Sequence, residues 1–281
     1  MEIFVVKGDR QDRRTDHKEK TDGKEGDGQD LIIFSLKNGM LFGTMTQLGK
    51  KQQVMIMKRI DIWDIQMDEC TAKEAMQCAM QYMETEALNV IEMLNGNTIV
   101  QAREEEELRA MIAQSDLILI GDRMILEAAG IEGENSYKEP EGKRFLKMFI
   151  RYLHKNHKKV YLLALTKEEI RRFEDYVKSR YSGIKIAGTF AMHESEIADD
   201  MVVNQINGTE ADCILSVLPP GEQESFVARN RTLLDSRLWI GLGNDRQLYA
   251  RNESWTGKLR AYVLKQFLKK ELEKEKKKNE V

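Results

Sequence analysis

Proline is nearly missing from this sequence, with 3 residues in 281. So few breakers, beside abundant Glu, Lys, Leu, Met and Ala, favour long helices and argue against an all-β sandwich. Cysteine is as scarce. Cys70, Cys78 and Cys213 are odd in number and lack metal-ligand spacing, so they read as reduced packing residues of a cytoplasmic protein. Aromatic residues make up only 7%. No apolar run reaches the roughly 18–20 residues a bilayer-crossing helix needs. The opening MEIFVV is too short for a leader's apolar core and runs straight into charge. A charge excess is also absent: the net charge of −3 gives no overall pull toward nucleic acid. The sequence contains no G-x-x-x-x-G-K-S/T phosphate loop, no G-x-G-x-x-G after a strand and no G-x-S-x-G elbow. His154 and His157 lie at i, i+3 with no third ligand close by, and no carboxylate or histidine cluster argues for a bound metal. His193, in a strand-exit loop, is the better histidine for ligand contact.

What is present falls into unequal parts. Lys7–Asp30 holds no Val, Ile, Leu, Met or aromatic residue and carries 7 Lys/Arg against 8 Asp/Glu. Such a stretch buries too little apolar surface to offset its ordering entropy, so residues 1–30 read as a charged flexible segment. Across 31–58, LIIFSL, GMLFGTM and KQQVMIMK read as short strands of a small β extension. From about Arg59 strands alternate with helices. IDIWDI, NVIEML, DLILIG, KVYLLAL, IKIAGTF, DCILSVL and RLWIGLG are apolar runs of the kind found in buried parallel strands, with helical stretches between them. The expected fold is α/β: a doubly wound, mostly parallel sheet flanked by helices over 59–250, with a basic amphipathic C-terminal helix over 251–281. In that last part Lys258–Val281 carries 9 Lys/Arg against 4 Asp/Glu, and Leu264, Phe267, Leu268 and Leu272 share one helical face. The stripe suits packing on the domain or contact with an anionic membrane surface.

Ligands of doubly wound sheets bind outside the carboxyl ends of the strands, which directs attention to the loops there. After NVIEML, Asn95 puts an amide at a helix start. After DLILI come Gly121 and Asp122; the carboxylate suits either a general base or a cap on the following helix, and spacing leaves both roles open. The rigid turn Pro219-Pro220-Gly221 leads to Gln223 and Glu224 in the first turn of a helix. There, free backbone N–H groups and side chains can hold a phosphate, base or ribose.

These segments, in order, resemble the WecG/TagA/CpsF family of glycosyltransferases. Ile206-Asn207, Ala211-Asp212, Gln223-Glu224, Asn230 and Ile240-Gly241-Leu242-Gly243 stand where that family has its I-N-x-x-x-A-D strand, G-x-P-K-Q-E turn and I-G-x-G strand. RYSGIKIAGTF resembles its R-Y-P-G-L-x-I-x-G-T strand through Gly188 and Thr189, and the stretch from Asn89 to Asp122 resembles its first ligand-binding segment. The likeness spans roughly Arg59–Gly243. It implies a Rossmann-like domain that transfers an N-acetylated amino sugar from a UDP-sugar to a polyprenyl-diphosphate-linked acceptor. The implied place is the cytoplasmic face of a membrane, and the implied mechanism inverting, with Asp122 as base. Asn95, Gly121, Thr189, Gln223 and Glu224 would bind substrate. All six residues leave expected strands at one end, which predicts a single cleft. No metal or other cofactor is implied, and self-association is left open. Against the family pattern the Asp-Gly pair is inverted at Gly121-Asp122, Met93 replaces a Thr, and Glu222 replaces the Lys of the turn. A catalytically silent paralogue serving polysaccharide assembly as a binding or scaffolding subunit is the alternative these changes raise.

Overall fold

A computed structural model describes residues 2–6, 30–36, 39–45, 57–129, 141–194, 198–243 and 255–279. The chain divides into two compact units, Met1–Ile56 and Met57–Val281. In the first, β1 (Glu2–Val6), β2 (Asp30–Leu36) and β3 (Gly39–Met45) form an antiparallel sheet in the order β1-β2-β3. LIIFSL and GMLFGTM, expected as strands, form β2 and β3. The third strand is EIFVV, which fell within the segment 1–30 expected to be flexible: five residues too short for a leader core are long enough for a strand. Positions 51–56 of KQQVMIMK, and 7–29 of the charged segment, lie outside the described residues.

The second unit begins with a hairpin, β4 (Lys58–Ile62) and β5 (Ile65–Glu69). IDIWDI therefore contributes to a two-stranded antiparallel sheet and not to the parallel one. The reversal is made by Trp63 and Asp64, both at positive φ (55° and 62°) without a glycine, so the usual turn signal is missing from the sequence. Burial of Trp63 and the Arg103 guanidinium, 4.5 Å above its ring, hold the turn in that conformation.

Strands and helices then alternate. They are α1 (Ala72–Tyr82), β6 (Asn89–Leu94), α2 (Gly96–Glu104), α3 (Glu106–Ile112), β7 (Leu117–Ile120), α4 (Arg123–Ala129), α5 (Glu141–Lys155), β8 (Lys159–Ala164) and α6 (Lys167–Arg180). They continue with β9 (Lys185–Ala191), α7 (Asp199–Asn207), β10 (Cys213–Ser216), α8 (Glu222–Asn230), β11 (Leu238–Gly241) and α9 (Trp255–Asn279). Thr71 and Thr166 open α1 and α6 as capping boxes with Glu74 and Glu169. The six strands β6–β11 pair in parallel in the order β7-β6-β11-β10-β8-β9. The chain winds outward from β6 to β7, then crosses to β8, and β10 and β11 later fill the gap. The switch point of this doubly wound sheet is thus at β6, β11 and β10.

One face of the sheet packs Val90, Tyr161, Ile214 and Trp239 against Val202, Ile206, Phe226 and Val227 of α7 and α8. At the other end, Leu94, Ile99, Leu108, Ile118 and Ile125 form a second core with the hairpin and Leu268 of α9. The apolar stripe of α9 is thereby split: Leu264, Leu268 and Leu272 turn inward, whereas Phe267 is 39% and Tyr262 60% exposed. Among the described residues no helix is long and apolar enough to cross a membrane.

Three aspartates stitch neighbouring strands together. Asp116 accepts the Val90 N–H at 2.7 Å, Asp212 the Lys159 N–H at 2.7 Å, and Asp68 the Ile118 N–H at 2.9 Å. The Ala211-Asp212 motif thus fastens β10 to β8 at the amino end of the sheet, away from any ligand at the carboxyl rim. Asp68 is buried, so Asp68→Ala should strand the Ile118 N–H and cost about 1–3 kcal/mol. Arg59→Ala, which removes only the exposed partner of Asp68, should cost less than about 1 kcal/mol in the same urea titration.

Candidate functional site

At the switch point three strand exits converge. Asn95 follows β6 and caps α2, its Oδ1 accepting the N–H groups of Asn97 and Thr98 at 3.0 and 3.1 Å. Its amide nitrogen faces the exit of β11, where a Cβ placed on Gly243 would stand 2.9 Å from Asn95 Nδ2. Gly121 closes β7 against this corner, its N–H donating to the Leu94 carbonyl at 2.8 Å.

After β10 the chain turns at Gly221, whose φ of +88° belongs to the left-handed region that glycine tolerates. Glu224 reaches back from α8 to accept the Gly221 N–H at 2.6 Å, half of a capping box. Gln223 crosses the backbone of β11 at Gly241 and donates from Nε2 to Glu92 Oε2 of β6 at 2.7 Å. A Cβ at position 241 would collide with both Gln223 Nε2 and Glu92 Oε2, so glycine is needed for the crossing. Gln223, Glu92 and Glu224 are 1%, 2% and 5% exposed. Two polar atoms flanking the exit of β11 have no hydrogen-bond partner: Gln223 Oε1 and Thr98 Oγ1.

The other expected residues stand further off. Asp122 Oδ1 accepts the Met124 N–H at 3.0 Å, and its carbonyl accepts the Ile125 N–H at 3.2 Å, so it caps the start of α4. It leaves β7, one strand beyond β6 at the edge of the sheet. Thr189 does not join the group. It lies within β9, the opposite edge strand, about 24 Å from β7 at roughly 4.8 Å per strand. Chain order puts β9 immediately before β10, but β8 separates them in space, and strand order is what the sequence withholds. His193 is exposed, its Nε2 3.3 Å from Glu222 Oε1 at the start of α8. His154 packs against the Tyr181 ring at 5.6 Å between centroids, away from any ligand set. Among the described residues no three His, Cys, Asp or Glu side chains are grouped to hold a metal ion.

Glu92 was missed by motif reading, though a signal existed: it is the one charged residue in the otherwise apolar strand core VIEML. Burial pushes its carboxyl well above the usual carboxylate range, and the negative charge of Glu224 acts in the same direction. Glu224 is raised too by burial, but N–H donors of its own backbone and of Gly221 oppose the rise. Of the two, Glu224 is the better placed to carry the charge and Glu92 to hold the proton.

This has a sign for stability. Between its ordinary value of 4.5 and its higher folded value, Glu92 binds a proton in the folded but not the unfolded chain. Its contribution is complete below pH 4.5 and is lost as pH rises through the folded pKa. Wild type should therefore lose stability relative to Glu92→Gln by up to roughly 1.4 kcal/mol per pH unit across that window. Denaturant titrations from acid to alkaline pH measure it; parallel curves for the two proteins would show that Glu92 is not held protonated.

Residues 60–252 match the model of the glycosyl transferase WecG/TagA/CpsF family. The chain is also 23% identical, over 202 residues, to the N-acetylglucosaminyldiphosphoundecaprenol N-acetyl-beta-D-mannosaminyltransferases of Staphylococcus aureus strains NCTC 8325 / PS 47 and COL. The likeness covers 68% of this chain and 76% of each relative, and the protein of strain MRSA252 matches to the same extent. The stretch 60–252 takes in all but the first two residues of the β4–β5 hairpin, every strand of the parallel sheet and the corner built by Asn95, Glu92, Gln223 and Glu224. The chain belongs to the WecG/TagA/CpsF family of glycosyltransferases.

Proposed function

We propose that this chain transfers an N-acetylated amino sugar of the N-acetylmannosamine kind from a UDP-sugar to a polyprenyl-diphosphate-linked acceptor. The observation that carries this reading is the pair of buried, unpartnered polar atoms, Gln223 Oε1 and Thr98 Oγ1, on either side of the β11 exit. Buried polar groups are nearly always satisfied, and a ligand's N–H or O–H would supply what Gln223 Oε1 lacks. A uracil ring or ribose has such groups. The names of the staphylococcal relatives support the sugar and the lipid-diphosphate acceptor.

In this reading an acceptor hydroxyl attacks the anomeric carbon as the bond from that carbon to the UDP oxygen breaks. The configuration inverts, and the hydroxyl proton passes to Asp122. The Met124 N–H fixes the orientation of that carboxylate, and Asn95 Nδ2 is available to the departing diphosphate. The silent-paralogue reading draws on two observations: Asp122 serves as a cap, and Glu222, where the family pattern has lysine, is engaged with His193.

Calorimetry and thermal shift with UDP and UDP-N-acetylhexosamines test the reading. Wild type should bind UDP and turn over a UDP-sugar. Asp122→Asn should keep both UDP binding and its melting temperature, because Asn caps helices as well as Asp does, while losing about 10²–10⁴-fold in rate. Unchanged turnover would remove Asp122 from the chemistry. UDP binding without any turnover by wild type would favour the silent paralogue.

The acceptor's lipid requires a membrane contact, and the outer face of α9 offers one: exposed Tyr262, Val263 and Phe267 run toward exposed Lys269, Lys270 and Lys277. Each basic residue near anionic lipid contributes about 1 kcal/mol, so association should be weak and salt-sensitive. Phe267→Glu should reduce co-sedimentation with phosphatidylserine vesicles at low salt without lowering the melting temperature. Equal sedimentation of both proteins would exclude this face.

A further inference from the structure

We propose that Glu92, to which the family likeness assigned no role, is the positioning residue that holds the Gln223 side chain at the donor site. The inference rests on the functional reading above and extends it to a residue behind the ligand.

The geometry is specific. Glu92 occupies the face of β6 turned toward α8, and its direct neighbour in register on β11 is Gly241. The missing side chain there leaves the passage through which Gln223 Nε2 reaches Glu92 Oε2 at 2.7 Å. An amide has one donor end and one acceptor end. With one N–H of Nε2 given to Glu92, the atom of this amide left wholly without a partner is the buried Oε1, which is the one turned to a ligand. Glu92 thus selects which end of the amide is presented. An apolar side chain at position 92 would leave Nε2 unpaired and free the amide to flip or swing.

Glu92 also couples the site to the proton. Glu92 and Glu224 line one cavity of about 50 Å³ with Val90, Met111, Gln114 and Arg231. The charged groups facing Glu92 there are Glu224 and Arg231, both on or at the end of α8. The Arg231 guanidinium is already taken by Asp116 and by the carbonyls of Leu88 and Gln114. Ionisation of Glu92 would set a second negative charge beside Glu224, strain the first turn of α8 and weaken ligand binding as pH rises through its raised pKa.

UDP titrations of wild type, Glu92→Gln and Glu92→Leu between pH 6 and pH 9.5, roughly the span of buried-carboxyl titration, test this. Glu92→Gln keeps an acceptor for Gln223 Nε2 and should bind UDP at neutral pH as wild type does, with a flat pH profile where that of wild type declines. Glu92→Leu removes the acceptor of a buried donor and should be less stable, yet, where folded, bind UDP at least about tenfold more weakly. Should the Leu variant not fold, the pH profile of the Gln variant carries the test. Wild-type affinity in the Leu variant, or the same alkaline decline in wild type and the Gln variant, would overturn the inference. Failure of wild type to bind UDP at any pH would instead sink the functional reading. The positioning role would then be judged by amide hydrogen exchange over residues 221–225. Faster exchange in the Leu variant alone is expected, and equal exchange in all three proteins would overturn it.

Discussion

The hydrogen bond that Gln223 gives to Glu92 across the bare backbone of Gly241 joins three parts of the chain that are far apart in sequence: β6, β11 and the first turn of α8. Much of the carboxyl rim depends on it. It requires glycine at 241, it brings a carboxyl group into a strand otherwise built of Val, Ile, Met and Leu, and it fixes where α8 begins. The left-handed Gly221 and the Glu224 side chain folded back onto its N–H complete the same construction. Burying two carboxyl groups together is costly unless one is neutral, so this corner also binds a proton that the unfolded chain would release.

Much of the fold was legible because apolar β-branched runs alternating with capped helices have one common solution, a parallel sheet wound in both directions. The parallel strands from NVIEML to RLWIGLG all lie where the pattern puts them, whereas the helical stretch after NVIEML is broken at Glu105 into α2 and α3. What the pattern withheld was the order of the strands. Thr189 and Gln223 belong to consecutive βα units, yet β8 stands between their strands, and this is why a rim that looks continuous in sequence is divided in space. The hairpin at Trp63-Asp64 was hidden for a different reason: side-chain packing, and not a glycine, holds its turn residues at positive φ.

The site was legible where a motif coincides with a structural necessity. Gln223, Glu224 and the glycines of IGLG are members of one contact network, so motif and geometry agree. Ala211-Asp212 belongs to the same family pattern, but its carboxylate fastens one strand to the next at the far end of the sheet. Glu92 lay inside the segment that resembles the family, with no role assigned to it, and was still detectable as a charge where burial should forbid one. In α9, helical periodicity identified the stripe but not its division, which follows from packing. Leu264, Leu268 and Leu272 complete a core shared with α4, α2 and the hairpin, which leaves Tyr262, Val263 and Phe267 on the outside.

The central claim is that a uridine diphosphate sits where β6, β11 and β10 end. A crystal structure of the chain grown with UDP would test it most directly. The account predicts density for the nucleotide between Asn95 and Gln223, with a uracil or ribose hydrogen within bonding distance of Gln223 Oε1 and the Glu92–Gln223 bond intact. Nucleotide bound beside Thr189 at the β9 edge, or bound with Gln223 turned away from Glu92, would contradict it.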